Sequence, residues 1–415
     1  MTTMRLRNPL LLFLAAAFFL PVADHPFARV EGDTPTSHTF QLHYREKLCE
    51  NGSDSGGGML LKMLPHPTPF AKEPVLGNAS FFRGVIHLPK RPSQSVGFIW
   101  DKINVRLYLD TNRNGDLTDD SSNPVQGKRG AFSQDFNNIH VDSIQGAQYG
   151  RWNTCVFFVE SAPLFGSMAV AEVTSGWCGE IELADRKWEM AVQDDLDGEI
   201  GPGDRMFLEE PGFFKIPRRP GDQTIVLLRE QFTLAPRAWL NGKPYDLAFH
   251  LNPGDEGGIL TVTFQETTAP SQECEIAGTD IARLDFRQGT YGGNTTGTVA
   301  VFQRPGRLIR VAPGEYRPQI HLDGGPRLGM LFSDGRGLTV EVKSDPTSCP
   351  LLNFGGPVRP EIRATRDRSS IYLTYALQGV GAEKYETDGT SATLPLHLTI
   401  SKGNRELASA DLEPG

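Results

Sequence analysis

Short runs rich in β-branched and aromatic residues recur almost without a break along this chain. They are TFQLHY (39–44), NVRLYL (104–109), CVFFVE (155–160), MAVAEV (168–173), KWEMAV (187–192), TIVLL (224–228), ILTVTF (259–264), TVAVF (298–302), LIRV (308–311), LTVEV (338–342), SIYLTYAL (370–377) and LPLHLTI (394–400). Many alternate apolar with polar residues, the period of a half-buried strand rather than of a helix. The 44 Gly and 30 Pro among 415 residues cut the chain into such short elements. Capped helical periodicity is scarce. The expectation is a mainly β protein: a β-sandwich or barrel-like domain over 38–268, then one or two small Ig-like β modules, over 275–345 and 351–415. The boundaries fall at the polar, Pro-containing ETTAPSQECE (266–275) and KSDPTSCPLLNFGGPVRP (343–360). LIRVAPGEYRPQIHL reads as strand, PG turn and strand, a hairpin.

The start of the chain reads as an export signal over residues 1–23. Arg5 and Arg7 precede the apolar Leu10–Leu20, which is too short to span a bilayer, and cleavage is expected between Ala23 and Ala28. Loss of Arg5 and Arg7 takes the formal charge from -9 to -11. That balance disfavours nucleic acid and anionic membranes as partners, because both require basic surfaces. No later stretch is long and apolar enough to span a membrane. The expected location is periplasmic, cell-surface or extracellular, where disulfides are allowed. Among the five cysteines, Cys155 with Cys178 and Cys274 with Cys349 are candidate pairs, which leaves Cys49 over. No CxxC occurs, so zinc-ribbon and thioredoxin chemistry are set aside.

The most chemically pointed stretch is LYLDTNRNGDLTDD (107–120). Calcium takes six to eight oxygens, and short polar side chains on alternate residues can turn theirs toward one ion where a Gly lets the chain bend. The pattern D-x-[DN]-x-[DN]-G is met by Asp110, Asn112, Asn114 and Gly115. Asp116 would contribute its backbone carbonyl, and Leu117 is the apolar anchor. Ser121 stands where a carboxylate is needed, so Asp119 or Asp120 must close the shell. An Asn-rich set carries few charges, which implies weak binding, about 10⁻⁴ to 10⁻³ M. The competing reading is a plain polar turn, since Asp, Asn and Gly serve turns anyway.

WEMAVQDDLDGEIGPGD (188–204) repeats this grammar 83 residues later. Gln193, Asp195, Asp197, Glu199 and Asp204 are its candidate ligands, with Gln193 weaker than Asp at the first position and Asp204 better than Ser121 at the last. The pair is either an internal repeat or two turns shaped by one need.

The 110–120 loop resembles the EF-hand-like, dockerin-type DxNxNGD loops of secreted bacterial β-domain proteins, with a strand in place of the leading helix. The final segment, YALQGVGAEKYETDG, resembles Ig-like or transthyretin-like modules. The resemblance implies calcium as a structural ion and a packing or adhesive role, and no activity.

Catalytic motifs are missing. There is no HExxH, no GxSxG and no glycine-rich phosphate loop. His87, His140, His250, His321 and His397 are scattered; Glu209 and Glu210 read as solvated charge; Trp100, Trp152, Trp177, Trp188 and Trp239 read as core or strand-end packing. Asn51, Asn78 and Asn294 are glycosylation sequons expected on surface loops. Two functional classes follow. One is an exported, non-catalytic, calcium-stabilised β protein that binds a protein or carbohydrate. The other is an exported hydrolase whose residues are dispersed along the sequence.

Overall fold

In a computed structural model of the chain, the residues described are 36–48, 59–66, 68–77, 81–87, 95–120, 124–130, 133–142, 151–160, 167–194, 199–201, 204–212, 232–252, 254, 257–288, 298–323, 328–330, 339–345, 348–367, 370–387, 396–403 and 405–412. The expected export signal over residues 1–23, Cys49, TIVLL (224–228) and the sequons at Asn51, Asn78 and Asn294 lie outside them. The described residues form strands and turns and contain no helix, as the period-two patterning requires.

One sheet of sixteen strands crosses most of the chain. Its path runs Phe232–Thr233, Arg205–Glu209, Arg186–Gln193, Gly176–Leu183, Ser37–Arg45, Ile259–Glu266, Lys243–Asn252 and Arg237–Leu240. It continues through Val299–Gln303, Ile281–Gln288, Gly314–Leu322, Leu328–Met330, Lys384–Thr387, Ser370–Gln378 and Arg359–Asp367, and the sixteenth strand, Val340–Val342, pairs with Gly314–Leu322 off this path. The link between its halves is parallel, with Ala238, Trp239 and Leu240 opposite Val299, Ala300 and Val301. Sheet pairing thus passes directly from residues before 268 to residues after 275.

A second sheet has nine strands and begins and ends on Val125–Gln126 and Lys128–Arg129. These edges are separated in sequence by Gly127 alone, so the sheet curls until its edges meet. Gly127 is required there, because a Cβ would stand 2.6 Å from the Phe136 ring.

The first core lies between these sheets. Phe98, Trp100, Leu107, Leu109 and Phe136 of the nine-stranded sheet join Leu42, Trp177, Trp188, Met190, Leu260 and Phe264 of the long one. Trp188 falls on the inward period of its strand and donates its indole N–H to the Leu183 carbonyl at 3.1 Å; Trp177 likewise reaches the Gly257 carbonyl at 2.9 Å. Each such ring removes about 150–250 Å² from water. The tryptophan side chains described, Trp100, Trp177, Trp188 and Trp239, are therefore core. A second core gathers Trp239, Ile276, Leu284, Phe286, Phe302, Tyr316, Phe354 and Tyr385. It is partly covered by a three-stranded sheet of Leu308–Val311, Gln272–Ile276 and Leu351–Leu352.

Two local expectations change. LIRV and EYRPQIHL do not form a hairpin. Leu308–Val311 pairs with Gln272–Ile276 in the small sheet, whereas Gly314–Leu322 pairs with Ile281–Gln288 in the long one. The PG turn carries the chain between layers. Cys155 and Cys178 lie on different sheets, in Arg151–Glu160 and Gly176–Leu183, not on neighbouring strands. Cys178, Cys274 and Cys349 form no disulfide, so the expected Cys274–Cys349 pairing is not made.

Candidate functional site

The 107–120 stretch leaves the nine-stranded sheet at Leu109 and turns at once. Asp110, Thr111 and Asp120 are buried beneath it. Asp110 organises the turn: its Oδ1 accepts the Asn114 N–H at 3.0 Å and its Oδ2 the Gly115 N–H at 2.9 Å. Gly115 has φ +80°, the left-handed conformation expected of that glycine. Arg113 at φ +60° shares it, at a steric cost. Leu117 is fully buried in a small cluster with Ile99 and Tyr108, against which Phe70 and Leu76 pack. It is the apolar anchor that its position suggests.

Both candidate closing acids turn back over the loop. Asp120 is 7% exposed, and its Oδ1 accepts the Thr111 N–H at 3.0 Å, the Thr111 hydroxyl and the Asn112 N–H at 3.3 Å. Its Oδ2 is buried and has no hydrogen-bond partner. Asp119 approaches from the solvent side, accepting the Asn112 amide N–H at 3.3 Å and the Asn114 amide N–H at 2.7 Å. The side-chain oxygens of Asn112 and Asn114 cap the N–H groups of Asn114 and Asp116, at 3.1 and 2.7 Å.

Charge is crowded here. Burial raises the Asp110 carboxyl above its ordinary range, opposed by the Gly115, Asn114 and Arg113 N–H groups and assisted by the charge of Asp119. Burial raises Asp120 as well, opposed by its bonds from Thr111 and Asn112 and assisted by the charge of Asp110. The interior of the loop thus disfavours its own anions.

Asp116 behaves differently from its neighbours. Its carboxylate turns out of the loop to Lys72 and Thr118, which hold its pKa down at about 2. Its backbone bridges in parallel to Lys72; the Lys72 N–H donates to the Gly115 carbonyl at 3.2 Å and the Leu117 N–H to the Lys72 carbonyl at 3.1 Å. Lys72 therefore straps the loop to the preceding segment. Nothing in the local sequence points to a partner 44 residues upstream. Thr111 was also missed, because its part depends on where Asp120 returns.

As folded, no three His, Cys, Asp or Glu side chains among the described residues stand together in a way that would hold a metal ion. Of the six residues singled out from sequence, Asp110, Asn112, Asn114, Asp119 and Asp120 share one hydrogen-bonded turn, and the Asp116 side chain leaves it.

The second loop is seen only at its two ends; Asp195 and Asp197 lie outside the described residues. Gln193 is fully buried, donates to the Val173 carbonyl at 3.0 Å and leaves its Oε1 without a partner. Asp204 is also buried, and its Oδ2 accepts the Gly201 N–H at 2.8 Å, while Glu199 is exposed.

Glu209 departs from its expected role as solvated charge. It is 2% exposed and pairs with Arg283, which also holds Asp285 at 2.9 Å. This buried triad joins a strand of the first half to one of the second. Glu210 is exposed. No protein-family model matches this chain, and no curated protein or solved structure matches it either.

Proposed function

We propose that this is an exported, non-catalytic β protein whose 110–120 loop takes up Ca²⁺ as a structural ion, and which acts by binding a protein or carbohydrate partner. The observation that carries the reading is Asp120 Oδ2, a carboxylate oxygen buried without a partner where Asp110 and Asp119 add their charges. A buried anion without a partner is costly. A divalent cation is the counter-charge that would relieve three carboxylates at once, and the carboxylate and amide oxygens of this loop suit a hard ion. Uptake exchanges the bonds from the two Asn amide groups to Asp119 for oxygen–cation contacts. The role is structural because the loop ends a core strand and Leu117 is anchored in the fold; binding the folded form alone stabilises it by linkage. Export is supported by the leader-like start, and a non-catalytic role by the commitment of Glu209 to Arg283.

The test is a calorimetric and thermal-shift titration of the chain with calcium. A saturable shift in the millimolar range, lost in Asp110→Ala, is expected. No shift at millimolar calcium, or the same shift in the variant, refutes the reading.

A further inference from the structure

Three turns meet around one hollow: Ala184–Asp185 after Gly176–Leu183, Asn241–Gly242 after Arg237–Leu240, and Arg304–Gly306 after Val299–Gln303. Ala184, Asp185, Asn241, Gly242 and Arg304 all have φ between 47° and 84°. Between the turns lie two adjoining hollows of about 240 and 400 Å³ that share Arg186, Gln303 and Arg304.

The charge of these hollows opposes that of the chain. The chain is net negative, yet Arg186, Lys187, Lys243, Arg304 and Arg310 face the cleft against Glu210 and Glu273. Lys243 pairs with Asp185 at 3.7 Å and Arg310 with Glu273 at 3.4 Å. Arg186, Lys187 and Arg304 have no carboxylate partner among the described residues.

The second observation is independent of the charge. Gln303 lines both hollows and is 8% exposed, and its amide nitrogen is buried without a hydrogen-bond partner. Its backbone N–H is already satisfied by Asn241 Oδ1 at 2.9 Å, so the side chain is left to answer something in the cleft. An unsatisfied buried donor needs an acceptor, and three unpaired cations beside it select an anionic one.

We infer that this cleft binds an acidic saccharide through its carboxylate or sulfate group. The larger hollow has the volume of a small ligand site, which suits one or two sugar rings. The exposed Leu308 offers apolar surface to a ring face, and Gln303 with the guanidinium groups supplies the donors.

The test is isothermal titration of the full chain with digalacturonate, a sulfated disaccharide, neutral lactose and inorganic sulfate, at low and at 0.5 M salt. At least one acidic disaccharide binds, at least tenfold more tightly than lactose or free sulfate, and weakens at high salt; which of the two binds better assigns the anionic group. Binding falls at least tenfold in Arg186→Gln/Arg304→Gln and in Gln303→Leu, with the melting temperature serving as a control. If either variant is unfolded, Lys187→Glu on the exposed rim gives the same loss. The inference is overturned if neither acidic disaccharide binds, if lactose or free sulfate binds equally well, or if folded variants bind like the parent.

Discussion

Asp120→Asn should invert its effect on stability when calcium is added. The substitution keeps an oxygen to accept from Thr111 and Asn112 and removes the charge. Without calcium, the change from a charged to a neutral acceptor costs about 1 kcal/mol. Against that, the raised pKa of Asp120 means its ionised form is disfavoured in the fold by burial and by Asp110. In chelator the variant should be as stable as the parent or more so. With calcium the order reverses. At 10 mM calcium and a Kd of about 1 mM, linkage gives the parent about 1.4 kcal/mol. Over the roughly 380 residues from Thr36 to Gly415, that corresponds to a melting shift of about 2 °C at ~2.1 cal/mol/K per residue. A tenfold loss of affinity leaves the variant about 0.4 kcal/mol, near 0.5 °C by the same arithmetic. Scanning calorimetry of both proteins, in chelator and across a calcium series with magnesium as control, reads the crossover. Equal calcium shifts in the two proteins would refute the assignment of Asp120 as a ligand. A large loss of stability in chelator would refute the claim that its charge is a burden there.

Further outcomes follow from the same geometry. Leu117→Ala should cost about 2–5 kcal/mol in urea denaturation, because it empties a site closed by Ile99 and Tyr108. Arg283→Ala should cost about 3–5 kcal/mol, since Glu209 and Asp285 then lose a buried cation; replacing all three by apolar residues should recover most of it. Asp116 has a depressed pKa, so its contribution is complete above the ordinary value of 3.8 and fades as pH falls toward about 2. Asp110 and Asp120 have raised values and act in the opposite sense: without calcium, stability rises as pH falls through their folded pKa values, and calcium affinity falls over the same range. Calorimetry between pH 7 and 2, with Lys72→Met to isolate the Asp116 limb, separates the two.

Much of the strand content was legible because side-chain alternation is local. Phe40, Leu42, Trp188, Met190, Leu260 and Phe264 show the period of two in the sequence and lie in or against the first core. The turn chemistry of Asp110, Gly115 and Leu117 was legible for the same reason: ligand order, a left-handed glycine and an apolar anchor all lie within eight residues. Partners brought together by topology were not legible. Lys72 reaches Asp116 across 44 residues and Arg283 reaches Glu209 across 74. The supposed hairpin at 308–322 failed because a PG turn specifies a bend and not which sheet the chain enters next.

By itself, then, the sequence determined that this chain builds strands, where many of them lie, and that residues 110–120 form an Asp-led turn, since each depends on neighbours a few residues apart. Tertiary structure alone decided that one sheet joins the two halves, that Asp120 returns to Thr111 with an oxygen to spare, that Asp116 is diverted to Lys72, and that Gln303 faces a basic cleft. Those facts rest on long-range register and burial, which set the electrostatic cost of each charge and are not encoded in any single stretch of the chain.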